Sequence, residues 1–183
     1  MMEAARMIAK SGAKPKRTIL FIGFAGEEFG LLGAQAWVKA HKDKLPKIAN
    51  LFNRDGGPEP PVGISVPQAM YDDFMKISEP IKKIRPDYPF EVKVREPRKR
   101  PTRMGGTDAS VFAVEGVPTL GFTTEDFKGY DFDYGEIWHT ERDLYTKNIP
   151  EYQEHTATVT AIIALGVANL DKQLSREGLY TEE

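Results

Sequence analysis

The chain has no cysteine, so disulfides and thiolate metal sites are excluded, and any metal must be held by His, Asp or Glu. Histidine is scarce as well: there are three, His41, His139 and His155. No apolar run approaches the ~20 residues of a membrane span, so no membrane partner is expected. Charge of either sign is not in excess. The formal net charge of −2 over 183 residues favours neither nucleic acid nor an anionic surface. One basic run stands out, Arg95 to Arg103 (REPRKRPTR). It holds two prolines in a loop-like stretch and reads as a solvated loop rather than a binding patch. The compartment stays open, because exported proteins can also lack cysteine.

What is present is an ordinary globular composition, 40% hydrophobic, in a length that suits one domain. MMEAARMIAKSG is an amphipathic helix with Met1, Ala4, Ala5, Met7 and Ile8 on a partly apolar face. It lacks the layout of a signal peptide. Thr18 to Phe24 (TILFIGF) is an apolar run of β-formers, expected as a buried strand. A helix follows over Gly30 to His41, then a second strand over Lys47 to Phe52, then a glycine- and proline-rich loop through Pro61. Gln68 to Ile84 repeats apolar residues at helical spacing. Phe90 to Val94 alternates as an outer strand. Thr107 caps a helix over Asp108 to Val114, and Val117 to Thr123 is a third apolar strand. Asp126 to Trp138 reads as an irregular acidic and aromatic loop. A last helix starts at Pro150, a favoured first-turn position. The polar tail after Ser175 is expected to fray.

Strands alternating with helices imply an α/β fold, a three-layer sandwich around a mostly parallel mixed sheet. The domain spans residues 1–175, and 176–183 is the tail. Ligand sites in such sheets lie at the carboxyl ends of strands. Glu27 and Glu28 fall there after the first strand and Asp55 after the second, with Asp108 beyond a loop from the outer strand. Two adjacent carboxylates repel each other, and more so away from water. A divalent cation compensates: one carboxylate ligates it, and the other is free to act as a base on a metal-activated water. His41, in a lysine-rich helix end, and His155, on a polar stretch of the last helix, read as spectators. His139 sits in EIWHTERDLY. Alone it reads as structural; beside Glu28 and Asp55 it reads as a ligand.

RTILFIGFAGEEFGLLGAQAW resembles the signature of the co-catalytic di-zinc exopeptidases. NRDGG, GGTDASVFAVEGVPTLGF and WHTERDLYTKN follow in matching order. The resemblance runs from about Met1 to about Leu174, and its DGG and GTD–GVP features are most similar to the plasma glutamate carboxypeptidase branch. It implies a hydrolase with two zinc ions acting on the ends of peptides. By that resemblance Glu27 is the general base and acid, Glu28 ligates one zinc, Asp55 ligates the other, and His139 completes the site of Glu28. Asp108 and Asp143 orient neighbours by hydrogen bonds. Trp138 stands where some relatives have an oxyanion-stabilising tyrosine.

The family's His-x-Asp motif and bridging aspartate, both upstream of the Glu-Glu pair, have no counterpart here. The chain is therefore expected to be the carboxyl-terminal part of such a peptidase, lacking the first strands, one histidine ligand and the bridge. Weak metal binding, little activity alone, and self-association through an exposed sheet edge follow as expectations. Secretion or a periplasmic location is expected from the relatives. Two other readings stand beside the enzyme. One is a non-catalytic module that keeps the fold for binding; the other is an unrelated α/β domain with a surface Glu-Glu pair. Aminopeptidase, carboxypeptidase and dipeptidase remain open.

Overall fold

A computed structural model describes residues 1–181. Helix α1 (Met2–Lys10) opens the chain and lays its buried Ala4 towards the long last helix. Glu3 pairs with Arg6 one turn on, acid preceding base as the helix dipole favours. Helix α2 (Leu32–Ala40) leads into a 3-10 segment, Lys42–Lys47. Strand β1 (Pro61–Val66) precedes helix α3 (Tyr71–Ile84) and strand β2 (Glu91–Val94). Helix α4 (Asp108–Val114), strand β3 (Phe122–Thr124) and the short α5 (Tyr134–Ile137) follow. Helix α6 (Pro150–Asn169) ends the succession, with Pro150 in its first turn.

The fold is α/β with a three-stranded open mixed sheet in the order β2-β1-β3. β1 runs parallel to β2, pairing Gly63 with Glu91 and Val66 with Val94, and antiparallel to β3. At Gly63 only a hydrogen fits, since a Cβ there would meet the Glu91 carbonyl oxygen. Helices α3 and α6 pack on each other and on the sheet through Ile64, Val66, Phe74, Ile81, Val159 and Ile163. Gly166 allows this close approach, because a Cβ would run into Ile77. A second core joins α2 and α4 through Ala34, Val38, Val111 and Phe112, closed by Leu31, Leu45 and Val117.

Several elements differ from the sequence expectation. The central strand β1 lies where prolines and glycines suggested loop. Pro61 occupies the first strand position, where its missing N–H costs no ladder bond. Thr18 to Phe24 forms no ladder: its backbone makes no hydrogen bond among the described residues. Its β-forming composition has no neighbouring strand to pair with there. Lys47 to Phe52 is also not a ladder strand. It is tied to the segment after α4 by the Asn50 side chain, which donates to the Leu120 carbonyl at 3.3 Å and accepts from the Leu120 N–H at 2.9 Å. The Leu51 N–H donates to Pro118 at 2.9 Å. Pro118 has no N–H to return, and of the third expected strand only Phe122 and Thr123 enter the sheet, continued by Thr124. The tail is ordered rather than frayed through Thr181: Leu179 is buried in the main core and Arg98 bridges to Tyr180. The last two residues of the expected tail lie outside the described residues. His155, read as a polar spectator, is fully buried.

Candidate metal centre

The Glu-Glu pair sits in a tight turn built by glycine. Gly26 and Gly30 take left-handed backbone angles, φ 69° and 103°, and Leu31 follows at φ 60°. The Glu27 carbonyl accepts from the N–H groups of Gly30 and Leu31 at 3.0 and 2.8 Å. Gly33 lies so close to Ala25 that an added Cβ would fall 2.7 Å from its backbone. Below the turn, Leu31 and Phe24 anchor it in the second core. The two carboxylates are therefore held by backbone, Glu27 half-buried and Glu28 exposed.

His139 approaches from the other end of the chain. Asp133 caps α5 by accepting from the Gly135 N–H at 2.8 Å, and the helix ends at Trp138. His139 then takes a left-handed angle, φ 57°, an uncommon conformation for a non-glycine residue. Trp138 stacks on its ring at 4.5 Å. This aims His139 Nε2 at Glu28 Oε1, 3.1 Å away. Both side chains are open to solvent.

Asp55 and Asp108 carry further negative charge to this place. Arg54 pins the loop of Asp55 by donating to the carbonyls of Gly57 and Glu59. Asp108 opens α4, where Thr107 accepts from the Ala109 N–H at 3.3 Å. Asp108 is 9% exposed, and its Oδ1 is buried without a hydrogen-bond partner among the described residues. Burial raises the Asp108 carboxyl above its ordinary pKa, and Asp55 adds to the shift. Burial likewise raises Glu27, with Asp55, Glu28 and Asp108 reinforcing and His139 opposing. Glu27, Glu28, Asp55, Asp108 and His139 thus form one electrostatic group with more anion than cation.

The donor chemistry of this group fits zinc: imidazole nitrogen and carboxylate oxygen are its ordinary ligands in a cysteine-free site. Two donors about 2.0 Å from a tetrahedral zinc would lie about 3.3 Å apart, close to the 3.1 Å between His139 and Glu28. The number of donors falls short, because among the described residues no three His, Asp or Glu side chains are gathered to hold an ion.

Asp143 is not brought in. It is exposed, and no side-chain hydrogen bond of its carboxylate occurs among the described residues; only its N–H bonds, to Thr140. Asp108 too lacks the orienting hydrogen bond expected of it among the described residues. His41 stacks on Trp37 at 4.4 Å and donates from Nδ1 to the Trp37 carbonyl. His155 stacks on Tyr88 at 3.9 Å, with Nε2 donating to the Pro61 carbonyl at 3.0 Å. Neither belongs to the centre.

Sequence reasoning missed a cavity of about 510 Å³ beside α5, between its loop and the start of α6. Phe132 and Ile137 form part of its wall, with Asp131, Asp133, Glu136, Glu151 and Lys147; Lys128 pairs with Glu151 at 3.0 Å and Arg142 with Glu136 at 3.7 Å. The signal was present as the acidic and aromatic stretch Asp126 to Trp138, which immediately precedes His139. Lys147 pairs with Glu136 at 3.1 Å.

Comparison with known proteins gives the family and the fold. Residues 1–163 match peptidase family M28. Carboxypeptidase Q of Mus musculus is 25% identical over 179 residues, which is 95% of this chain and 34% of that protein. A crystal structure of a peptidase M28 precursor from Shewanella amazonensis superposes with a TM-score of 0.71 at 26% identity, covering 94% of this chain and 36% of that one. A probable zinc metalloprotease of Phaeosphaeria nodorum is 44% identical over 54 residues, 30% of this chain and 10% of that protein. The chain spans about a third of the length of the curated relatives it matches.

Proposed function

The chain belongs to peptidase family M28, and on that premise we propose that it carries the catalytic half-site of a zinc-dependent exopeptidase. The observation that supports this most is the convergence of Glu28 and His139 beside Glu27, from positions 111 residues apart. Glu28 and His139 would hold one zinc and Asp55 a second. Zinc bound there would polarise the scissile carbonyl and make a water acidic enough to attack near neutral pH. Glu27 is placed to accept a proton from the attacking water and would return it to the leaving amine nitrogen. Its raised pKa suits this work, since a more basic carboxylate takes a proton more readily and holds it in a larger fraction of molecules near neutral pH. Asp108, buried behind Asp55, keeps the negative field over the centre.

The cavity beside α5 receives the substrate in this reading, because it adjoins the segment that delivers His139. Glu136 and Glu151 already pair with Lys147, Arg142 and Lys128, but Asp131 and Asp133 have no ion pair among the described residues and favour a peptide with a positively charged group at the bound end. The ends of peptides that this describes include a free amino terminus and a basic side chain.

Only two donors converge among the described residues, where a catalytic zinc ordinarily has three protein ligands and a water. The chain by itself therefore binds zinc weakly and hydrolyses peptide poorly. That same observation supports a second reading, a peptidase-like binding module without activity.

Cobalt(II) titration tests the first reading. Visible ligand-field absorption that disappears in both Glu28→Ala and His139→Ala supports a shared ion. A spectrum unchanged by either substitution refutes it. Peptides with free or blocked termini, separated after incubation with zinc, then distinguish exopeptidase from binding module.

A further inference from the structure

The basic run Arg95 to Arg103 is exposed as expected, with only Arg95 half-buried, but it has a partner in the fold. The carboxyl-terminal segment folds back on it: the Arg98 N–H donates to the Leu179 carbonyl at 3.3 Å, and the Thr181 N–H donates to the Arg98 carbonyl at 2.9 Å. This brings Arg176 and Tyr180 to the same face as Arg95, Arg98 and Arg100, all four guanidinium groups acting on the Tyr180 hydroxyl. A cleft of about 70 Å³ opens between Arg95, Arg98, Lys99 and Tyr180, floored by Ala113 and Leu179. That volume holds about two water molecules, or one group of a few heavy atoms.

Among the described residues these charges have no carboxylate partner: none of Arg95, Arg98, Lys99, Arg100 or Arg176 is within ion-pair distance of one. Glu96, Glu115 and Glu177 are close in sequence but exposed. Three of the arginines have a structural task. Arg100 donates to the Val114 carbonyl at 2.7 Å, at the carboxyl end of α4. Arg176 donates to the carbonyls of Gly116 and Ile48 at 3.2 and 3.0 Å. Arg95 donates to Glu96 and Leu179. Carbonyls fix these groups in place without neutralising them. Arg95 Nε remains buried and unpartnered among the described residues. Arg98 and Lys99 make no side-chain hydrogen bond among the described residues, so their charged ends line the cleft without a partner.

Burial and the neighbouring Arg98 disfavour the charge on half-buried Arg95, and an anion joining the two offsets both effects. Guanidinium forks and an ammonium around so small a volume match a compact oxyanion with several acceptor atoms. We infer that the cleft between Arg95, Arg98, Lys99 and Tyr180 is a binding site for a phosphate group, distinct from the metal centre. It lies towards the carboxyl end of α4, whose amino end carries Asp108.

Calorimetric titration of the 183-residue chain with inorganic phosphate, at fixed ionic strength in chloride, tests this. Saturable binding is expected, weakened about tenfold or more by Arg98→Gln or by Lys99→Gln, as loss of one charge-assisted contact implies. Arg103→Gln, outside the cleft, should leave it unchanged. Circular dichroism checks that the variants fold, and among the described residues neither Arg98 nor Lys99 makes a side-chain bond that folding would lose. Sodium acetate serves as the second probe, because a carboxylate of a peptide is the other source of an anion. The inference fails if phosphate does not saturate, if acetate binds as well as phosphate, or if the Gln variants bind like the parent. Binding seen only in a chain ending at Thr181 would also overturn it, since Glu182 and Glu183 would then be the natural occupants.

Discussion

His139 Nε2 lies 3.1 Å from Glu28 Oε1, although the two residues come from opposite ends of the domain. Each is presented by a left-handed backbone turn, at Gly30–Leu31 for the one and at His139 itself for the other. If they share an ion, removing either removes the same site. Glu28→Ala and His139→Ala should each weaken zinc binding at least about tenfold, and the double variant should lose little more than either single. Competition with a chromogenic chelator measures all three. Additive losses would mean that the two residues act separately.

Glu27→Gln should separate chemistry from binding. The amide keeps the size of the side chain but cannot take a proton. In any zinc-loaded preparation that hydrolyses peptide, kcat should fall about 10²- to 10⁴-fold, with zinc content unchanged. A loss of zinc equal to that in Glu28→Ala would instead place Glu27 among the ligands.

His155 makes the fold acid-sensitive. Burial pushes its pKa down from 6.5 to about 4, with the Pro61 carbonyl opposing and Arg85 adding to the fall. Below pH 6.5 the unfolded chain binds the proton and the folded chain does not, so stability falls as pH drops from 6.5 towards 4. At about 1.4 kcal/mol per pKa unit, the loss is about 3 kcal/mol. Urea unfolding across that window should show it, and His155→Gln should flatten this part of the profile.

The carboxyl-terminal segment contributes to stability. Leu179 is buried in the main core, so Leu179→Ala should cost about 2 to 5 kcal/mol. Chemical denaturation of the variant checks this, and an unchanged midpoint would show that the segment lies loosely on the domain.

Leu20, Phe29 and Leu32 are exposed on and beside the unpaired run Thr18 to Phe24. Unpaired backbone flanked by apolar side chains invites strand addition. The isolated chain should self-associate with rising concentration, and Leu20→Lys should reduce this in light scattering. A monomer at all concentrations would contradict it.

Much of the site was legible because its residues sit in short runs with local reasons for their geometry. The glycines around Glu27 and Glu28 announce a turn, and Thr107 announces the helix that Asp108 opens. His139 could be ranked above His41 and His155 by its neighbours in sequence, and it is the one that meets Glu28. The burial of His155 was not legible: its partners Pro61 and Tyr88 are distant in sequence, and a polar helix face conceals them. Strand β1 was missed because prolines and glycines read as breakers, whereas Pro61 begins the strand and Gly63 admits the neighbouring backbone. The apolar run 18–24 shows the converse, since composition favours a strand but pairing needs a neighbour. The basic run is exposed as expected, but its contact with the tail was not legible, because the tail lies some 80 residues on.

The most direct measurement is zinc per chain by elemental analysis after equilibration with zinc and gel filtration, on the parent and on Glu28→Ala. Fewer than one ion per parent chain, and less again in Glu28→Ala, is the result expected of a half-site built on Glu28 and His139. The same zinc content in both would contradict it, because the ion would then sit somewhere other than between those two side chains.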